Sequence, residues 1–192
     1  MRRSDLKRHH HSGKSSFSLL NYRLIIQLSQ IQHGENLIDI GCGYGEFAIE
    51  LSKNNPTGIV YAIDTFREGI ESLRKAIIEE GITNIRSINE DFLNTDQLPQ
   101  NFFDAAFMIN VMHGFYTNNE SDRALENLNR ILKSDGRVII AEFRKHPSLT
   151  GPPMSERISE KTLSRIFVTR DYQKTHSSNI GFTHYLAIYR KN

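Results

Sequence analysis

The sequence predicts a single α/β domain with a mostly parallel seven-stranded sheet and an antiparallel strand at its C-terminal end. Three observations support this prediction. Short apolar runs alternate with amphipathic helical segments along most of the chain. The runs are almost continuously apolar, as in strands that a parallel sheet buries on both faces. Near the C-terminus two strand-like segments follow each other without an intervening helix, which indicates a hairpin.

The elements of the parallel part follow in a regular order. An amphipathic helix is predicted over residues 18–32, where leucine and isoleucine recur at helical spacing. Strands are predicted over residues 36–40, 58–63, 82–88, 103–109 and 136–142. Apolar periodicity predicts further helices that begin near Phe47, Ile70 and Ala124.

The C-terminal part has a different pattern. Prolines and a glycine exclude a regular helix or strand over residues 146–153. A short helix over residues 159–167 follows, with Ser159 in the position of an N-cap. Two strands, over residues 168–175 and 181–190, complete the sheet, and the polar residues 177–179 are expected to form the turn between them.

Residues 18–192 are predicted to form the domain, and residues 1–17 an N-terminal arm that is basic and rich in histidine. His9, His10 and His11 are adjacent in sequence, so their side chains cannot converge well on one ion, and no metal site is predicted. Two interpretations of the arm stay open. It is either a lid that folds over the site or a disordered tail.

Composition restricts the class of protein. Cys42 is the only cysteine, which excludes an internal disulfide and a cysteine-based zinc site and fits a cytoplasmic protein. The chain has 24 Lys and Arg against 22 Asp and Glu, a balance that argues against a nucleic-acid partner. The apolar run over residues 105–112 is too short to span a bilayer, and no signal peptide is recognised.

The clearest motif is the segment LIDIGCGYG, in which a predicted strand leads into a glycine-rich turn and a helix opens behind it. Glycine permits positive φ angles and lets a ligand approach the backbone closely. The unpaired N–H groups of the helix N-terminus favour an anionic ligand group. The turn is not the dinucleotide motif G-x-G-x-x-G, because Glu46 stands where the third glycine would be and would repel a pyrophosphate.

Acidic residues follow the next two strands. Asp64 ends the second predicted strand, where an acid can bind ribose hydroxyls. Asp91 follows the third strand, where it can accept a hydrogen bond from an adenine amino group, with Phe92 near the ring. Since the carboxyl ends of parallel strands meet at one edge of the sheet, the turn and both acids are expected to form one ligand site.

These motifs together resemble the class I S-adenosylmethionine-dependent methyltransferases. The resemblance includes LIDIGCGYG, the acids in VYAID and NEDF, the strand FDAAFMINVMH and the helix–strand pair LNRILKSDGRVIIAE, and it covers about residues 18–145. Within that class the chain is similar to the small-molecule group that includes quinone-biosynthesis enzymes. The resemblance implies a Rossmann-like, doubly wound fold, S-adenosyl-L-methionine as cofactor, and methyl transfer to a small-molecule acceptor by in-line displacement.

The resemblance also implies roles for the matching positions. Gly41, Gly43 and Gly45 would line the methionine and ribose part of the cofactor, and Asp39 would orient the turn and the cofactor's amino group. The remaining cofactor contacts would come from Asp64 (ribose), Asp91 and Phe92 (adenine) and Asn110 (methionine).

Two departures from the family pattern are visible. The loop before the fifth strand reads Ser134-Asp135-Gly136 and lacks the usual proline. The fourth strand ends in Asn110-Val111-Met112, and so lacks the Asn-Pro-Pro-aromatic signature of many enzymes that methylate DNA bases or protein amides. The second departure argues against those substrates.

The sequence says less about the residues that act on the methyl acceptor, because a general base is needed only if the acceptor must lose a proton. The catalytic residue is therefore unassigned, with His113, Tyr116 and Glu142 as candidates near the carboxyl edge of the sheet. Two alternatives remain open: a methyltransferase acting on RNA or protein, and a non-catalytic module that binds S-adenosylmethionine or a nucleotide. A nicotinamide oxidoreductase is opposed by Glu46.

Overall fold

Six helices and seven strands alternate along the part of the chain that the computed structural model describes, residues 20–192. In chain order they are α1 (Tyr22–Ser29), β1 (Leu37–Ile40), α2 (Glu46–Asn54), β2 (Val60–Ile63), α3 (Arg67–Glu79), β3 (Ile85–Ile88), β4 (Phe103–Ile109), α4 (Met112–Thr117), α5 (Ser121–Ile131), β5 (Leu132–Phe143), α6 (Glu160–Val168), β6 (Tyr172–Ile180) and β7 (His184–Lys191). The N-terminal arm predicted over residues 1–17 lies outside the described residues.

The strands form one sheet in the order β3-β2-β1-β4-β5-β7-β6. β1 pairs in parallel with β2 on one side and with β4 on the other, so the strand order reverses beside β1. β7 is antiparallel to both of its neighbours, β5 and β6. The predicted doubly wound, Rossmann-like sheet with an antiparallel C-terminal strand is therefore confirmed. In such sheets ligands bind at the carboxyl ends of the strands where the order reverses.

Both faces of the sheet are covered, because successive residues of a strand point to opposite sides. Ile38, Ile40 and Met108 pack on one face with the apolar sides of α4, α5 and α6. Leu37 and Phe107 pack on the other face with α1, α2 and α3. Nearly every residue of β1 and β4 is buried, which explains why their sequences are continuously apolar rather than alternating.

The structure corrects several predicted boundaries. The first helix is shorter than residues 18–32 and begins at Tyr22, where the side chain of Asn21 caps it. The fifth strand begins at Leu132 rather than Gly136, because Leu132 pairs with Phe103 before a register shift in the loop that lacks the family proline. The predicted N-cap Ser159 is confirmed: its hydroxyl accepts a hydrogen bond from the backbone N–H of Thr162.

The C-terminal hairpin was predicted with the wrong turn. Residues 177–179 lie inside β6, and the chain reverses at residues 181–183 instead. β6 is the last strand of the sheet, so polar side chains there can remain at the surface and do not mark a turn. Helix α6 also extends to Val168, which was predicted to start a strand, and the short helix α4 was not predicted.

Candidate active site

The glycine-rich turn after β1 has a backbone that only glycine adopts easily. Gly41 and Gly45 have φ angles of 72° and 81°. A Cβ atom on Gly41 would lie 2.4 Å from Cγ2 of Val111, and one on Gly45 would lie 2.5 Å from Cδ1 of Leu73. By contrast, a Cβ atom on Gly43 would meet no atom of the described residues within 4 Å. The turn is thus packed tightly against α3 and the end of β4 but is open at Gly43.

Asp64, at the carboxyl end of β2, is joined to this turn. Its Oδ2 accepts a hydrogen bond from the backbone N–H of Gly43 at 2.8 Å, and its Oδ1 accepts one from the backbone N–H of Phe66, also at 2.8 Å. The side chain is half-buried. Each carboxylate oxygen has two lone pairs, so Asp64 can still accept hydrogen bonds from the hydroxyls of a ligand.

Asp39 lies beneath the turn as a buried carboxyl group. It is 2% exposed, and its Oδ2 has no hydrogen-bond partner among residues 20–192. Burial, with smaller contributions from the charges of Asp64 and Glu46, raises the pKa of Asp39 from 3.8 to about 8. An unpaired buried carboxyl group is costly, and a cationic ligand group at this position would offset that cost.

Asn110 provides a second set of buried polar atoms without partners. It follows β4 and has a φ angle of 59°, a conformation that asparagine tolerates better than most residues. Neither Oδ1 nor Nδ2 has a hydrogen-bond partner among the described residues. The next residue, Val111, is the one that lies against Gly41. The amide is therefore next to the glycine turn, with a donor and an acceptor available.

Asp91 and Phe92 lie beyond the carboxyl end of β3, as predicted. Oδ1 of Asp91 accepts a hydrogen bond from the backbone N–H of Leu93 at 2.9 Å, so the carboxylate also stabilises its own turn. Phe92 is buried in the core, and its ring centroid lies 6.2 Å from that of Phe115 in α4. The ring supports α4 from the inside, and its contact with an adenine stays a prediction.

His113, in α4, and Glu142, near the end of β5, form a buried pair. Nδ1 of His113 lies 2.9 Å from Oε2 of Glu142, and the backbone N–H of His113 donates to Oε1, also at 2.9 Å. Burial lowers the pKa of His113, but the charge and hydrogen bond of Glu142 and the charge of Glu156 outweigh it, so the pKa lies above its ordinary value. Because Nδ1 is held by a carboxylate, Nε2 is the nitrogen that can accept a proton.

Tyr116 lies three residues after His113 in α4 and is partly exposed. Three further residues, which the sequence did not single out, lie near His113 and Glu142. Glu156 is close enough to His113 to raise its pKa, and Arg157 and Glu142 both act on the pKa of the buried His184. These residues come from an irregular segment and the last strand, where sequence patterns give no signal of a site.

A cleft of about 800 Å³ lies at the opposite edge of the sheet. Two ion pairs lie in its lining: Arg137 with Glu35 at 2.7 Å, and Lys133 with Asp104 at 2.7 Å. The first joins β5 to the loop before β1, and the second joins β5 to β4. The cleft is therefore a structural region, away from the glycine turn and the acids.

Residues 31–177 match the family model of a methyltransferase domain. The chain belongs to the methyltransferase domain family. The predicted family is thus confirmed. Among residues 20–192, no helix of this methyltransferase domain is long and apolar enough to cross a membrane.

Similar proteins agree with this assignment. The ubiquinone/menaquinone biosynthesis C-methyltransferase of Stutzerimonas stutzeri is 28% identical over 125 residues, which are 64% of this chain and 47% of that protein. The chain therefore spans about half the length of the curated relatives it matches. A SAM-dependent methyltransferase from Aquifex aeolicus has the same fold, with a TM-score of 0.83, 23% identity, and coverage of 94% of this chain and 95% of that one.

The N-methyltransferase NodS from Bradyrhizobium japonicum, whose structure was solved in complex with S-adenosyl-L-homocysteine, also has this fold. Its TM-score is 0.71 at 16% identity, with 88% of this chain and 85% of that chain covered. The residues present here fit such a cofactor. Within the part of the chain that the structure describes, buried polar atoms of Asp39 and Asn110 have no hydrogen-bond partner, and the Cβ position of Gly43 contacts no other atom.

Proposed function

We propose that this methyltransferase domain transfers a methyl group from S-adenosyl-L-methionine to a small-molecule acceptor. The observation that carries the proposal is that buried polar atoms of Asp39 and Asn110, beside the glycine turn, have no hydrogen-bond partner among residues 20–192. Buried polar groups are almost always paired in folded proteins, so the clustering of these atoms at one turn supports a polar ligand there. Family membership and the relatives' names support the same cofactor and enzyme class.

Each side of the turn has a distinct role in this proposal. Asp39 and Asn110 would hold the polar end of the methionine moiety, with the carboxyl group of Asp39 facing its ammonium group. Asp64 would bind the ribose hydroxyls while it keeps the turn in place through Gly43. Asp91 and Phe92 would border the adenine. Glu46 at the start of α2 places a negative charge where a dinucleotide would need its pyrophosphate, which disfavours NAD.

S-adenosyl-L-methionine supplies a methyl group that is bonded to a positively charged sulfur. The transfer does not require a covalent bond between the methyl group and the protein. The protein contributes binding and orientation, which can account for about 7–11 kcal/mol of a barrier. On the acceptor side, Nε2 of His113 would accept the proton that the acceptor loses as it bonds to the methyl group. Glu142 acts on His113 rather than on the acceptor, so it is a positioning residue.

The small-molecule class and the cytoplasmic location belong to the same proposal. The near-balanced net charge does not favour an RNA partner, and the only cysteine, Cys42, is buried and free. Similarity to a ubiquinone/menaquinone biosynthesis C-methyltransferase suggests a quinol as a first acceptor to test. The alternative of a non-catalytic binding module would keep cofactor affinity and show no methyl transfer.

A thermal-unfolding scan with S-adenosyl-L-homocysteine, NAD and ATP tests the cofactor. At a hundred times its dissociation constant a ligand adds about 2.7 kcal/mol, which raises the midpoint by about 5–11 °C for a domain of this size. We expect this rise with S-adenosyl-L-homocysteine alone, and expect Asp64→Ala to abolish it. The control is Asp135→Ala, which alters an exposed acid at the opposite edge. No rise, or a larger one with NAD, would contradict the proposal.

A transfer assay then separates the enzyme from a binding module. Methyl-labelled S-adenosyl-L-methionine is incubated with the full chain and 1,4-naphthohydroquinone, 2-naphthol or a short RNA as acceptor. Label in an extracted small molecule supports the proposal. Label in the RNA alone would favour the macromolecular alternative, and cofactor binding without any transfer would favour the module.

A further inference from the structure

Two loops at the carboxyl edge of the sheet expose large apolar side chains. Leu149 lies in the segment after β5, and Phe182 lies in the turn between β6 and β7; they are 108% and 91% exposed. Met154, in the same segment as Leu149, is partly exposed. We call these three residues the Leu149–Phe182 patch. Single exposed apolar residues are common, but fully exposed leucine and phenylalanine side chains on adjoining loops are not.

The two loops form one surface because they are hydrogen-bonded to each other. Nη1 of Arg144 donates to the carbonyl oxygen of Phe182 at 3.3 Å, and Nε2 of His146 lies 3.0 Å from the same oxygen. The backbone N–H of Arg144 also donates to the carbonyl oxygen of Thr183 at 2.8 Å. The segment that carries Leu149 is therefore fixed beside the turn that carries Phe182.

A buried guanidinium group determines the shape of the longer loop. Arg157 is 3% exposed and donates to four backbone carbonyl oxygens, those of Arg144, His146, Thr150 and Pro152, at 2.8–3.2 Å. These bonds close the segment around Leu149 into a fixed loop. The side chain of Leu149 is thus held outward by the fold of the loop, and its exposure does not come from an unconstrained backbone.

The two loops that carry the patch are basic, and the next acid along the chain, Glu156, acts on the pKa of His113. Residues 144–155 contain Arg144, Lys145 and His146 and no acidic residue, and the turn over residues 181–183 contains no acid either. Both ring nitrogens of His146 lie beside carbonyl oxygens, those of Pro147 at 2.8 Å and Phe182 at 3.0 Å.

Exposed apolar side chains on basic loops could contact a second copy of the chain, the N-terminal arm or a lipid bilayer, and the charge distinguishes among these three. A second copy would bring the same basic face against itself, and the N-terminal arm is itself basic, so both would be repelled. Apolar side chains that project from a basic surface instead match a bilayer with anionic headgroups, which attracts lysine and arginine and accepts the apolar groups below the headgroups. We infer that the Leu149–Phe182 patch docks this domain on the surface of an anionic phospholipid bilayer.

Vesicle sedimentation tests this inference on the full chain. The probes are vesicles of phosphatidylglycerol and phosphatidylcholine, compared with vesicles of phosphatidylcholine alone. We expect binding to the anionic vesicles that weakens about tenfold or more in Leu149→Asp and in Phe182→Asp, because each removes an inserted side chain. Lys145→Glu should weaken binding about fivefold or more, with a smaller effect at high salt.

The matched control is Ile78→Asp, which alters another exposed apolar residue, 81% exposed, near the end of α3 and away from the patch. It should bind anionic vesicles like the unaltered chain. Circular dichroism and the unfolding midpoint establish that each variant is folded. Absent binding, equal binding to both kinds of vesicle, or anionic binding that survives Leu149→Asp combined with Phe182→Asp would overturn the inference; the last result would assign binding to the basic arm.

Discussion

Glu142 contacts His113 twice, through the backbone N–H and through Nδ1 of the ring, each at 2.9 Å. The two contacts fix both the start of α4 and the orientation of the imidazole. A carboxylate on Nδ1 also selects the tautomer whose Nε2 carries a lone pair, as in hydrolases that use histidine as a base. This relationship leads to predictions about both activity and stability.

Glu142→Gln should keep much of the geometry but lose the charge. We expect the pKa of His113 to fall, and methyl transfer to an acceptor that must lose a proton to fall about 100-fold or more. Histidine NMR titration measures the first effect and the labelled-methyl assay the second. An unchanged affinity for S-adenosyl-L-homocysteine is the control, since Glu142 has no proposed cofactor contact. Transfer at the unaltered rate would exclude the pair from catalysis.

The same pair makes stability depend on pH. The pKa of His113 is higher in the folded chain than in the unfolded chain. The stabilisation that this histidine gives the fold is therefore complete below its unfolded pKa and is lost as the pH rises through its folded pKa. Urea unfolding at pH 6 and pH 9 should show a larger loss of stability for the unaltered chain than for Glu142→Gln. Equal losses would mean that the carboxylate does not hold the protonated ring.

Asp39→Asn should change the pH dependence of both stability and cofactor affinity. The folded pKa of Asp39 is about 8 against 3.8, so stability from this group is complete below 3.8 and declines as the pH rises toward 8. Between pH 5 and pH 7 the unaltered chain should lose about 2–3 kcal/mol that the variant keeps. Urea unfolding at these two pH values measures the difference.

Cofactor affinity should change in the opposite direction. Ionised Asp39 pairs with an ammonium group, so S-adenosyl-L-homocysteine should bind the unaltered chain more tightly as the pH rises from 6 to 8. The Asp39→Asn variant should bind it more weakly and with little dependence on pH over that range. Calorimetric titration provides the dissociation constants, and an affinity independent of pH in both proteins would contradict the role of Asp39.

Gly41→Ala and Gly43→Ala distinguish crowding from backbone strain. Both glycines have positive φ angles, 72° and 57°, but a Cβ atom meets Val111 only at Gly41. We expect losses of about 2–4 kcal/mol for Gly41→Ala and about 1–2 kcal/mol for Gly43→Ala. Val111→Ala should recover part of the first loss and none of the second. Equal losses in urea unfolding would mean that Val111 moves aside without cost.

Arg157→Met should loosen the segment before α6. The substitution leaves four carbonyl oxygens without their donor, and we expect a loss of about 2–4 kcal/mol together with faster proteolysis within residues 147–153. Arg165→Met, at an exposed position of α6, is the control and should change stability by less than about 0.5 kcal/mol. Unaltered proteolysis in Arg157→Met would show that the prolines alone maintain the loop.

The sequence was sufficient for the part of the fold in which burial and local pattern agree. β4 was predicted with the bounds it has, because a strand buried on both faces is apolar throughout. The turn of the last hairpin was placed wrongly, because Ser177 and its polar neighbours lie in an edge strand and not in a turn. Helix α4 was missed because six residues are too few to show a helical period.

The cofactor side was predictable for a similar reason. Gly41, Asp39 and Asp64 are close in sequence to strand ends, and the topology of a parallel sheet brings strand ends together. The contact between His113 and Glu142 joins positions 29 residues apart, and each residue alone is an ordinary histidine or glutamate. The role of Arg157 could not be predicted at all, because its hydrogen-bond partners are backbone carbonyl oxygens, which every residue type has.

The position of β7 determines the order in which the sheet can be assembled. β7 lies between β5 and β6, although β6 precedes it in the chain. During synthesis β6 has no neighbour to pair with until residues 184–191 leave the ribosome, and β5 meanwhile presents a free apolar edge that includes Val138 and Ile140. Free apolar edges pair readily with other chains. A nascent chain that stalls before β7 therefore has five parallel strands and an edge prone to aggregation.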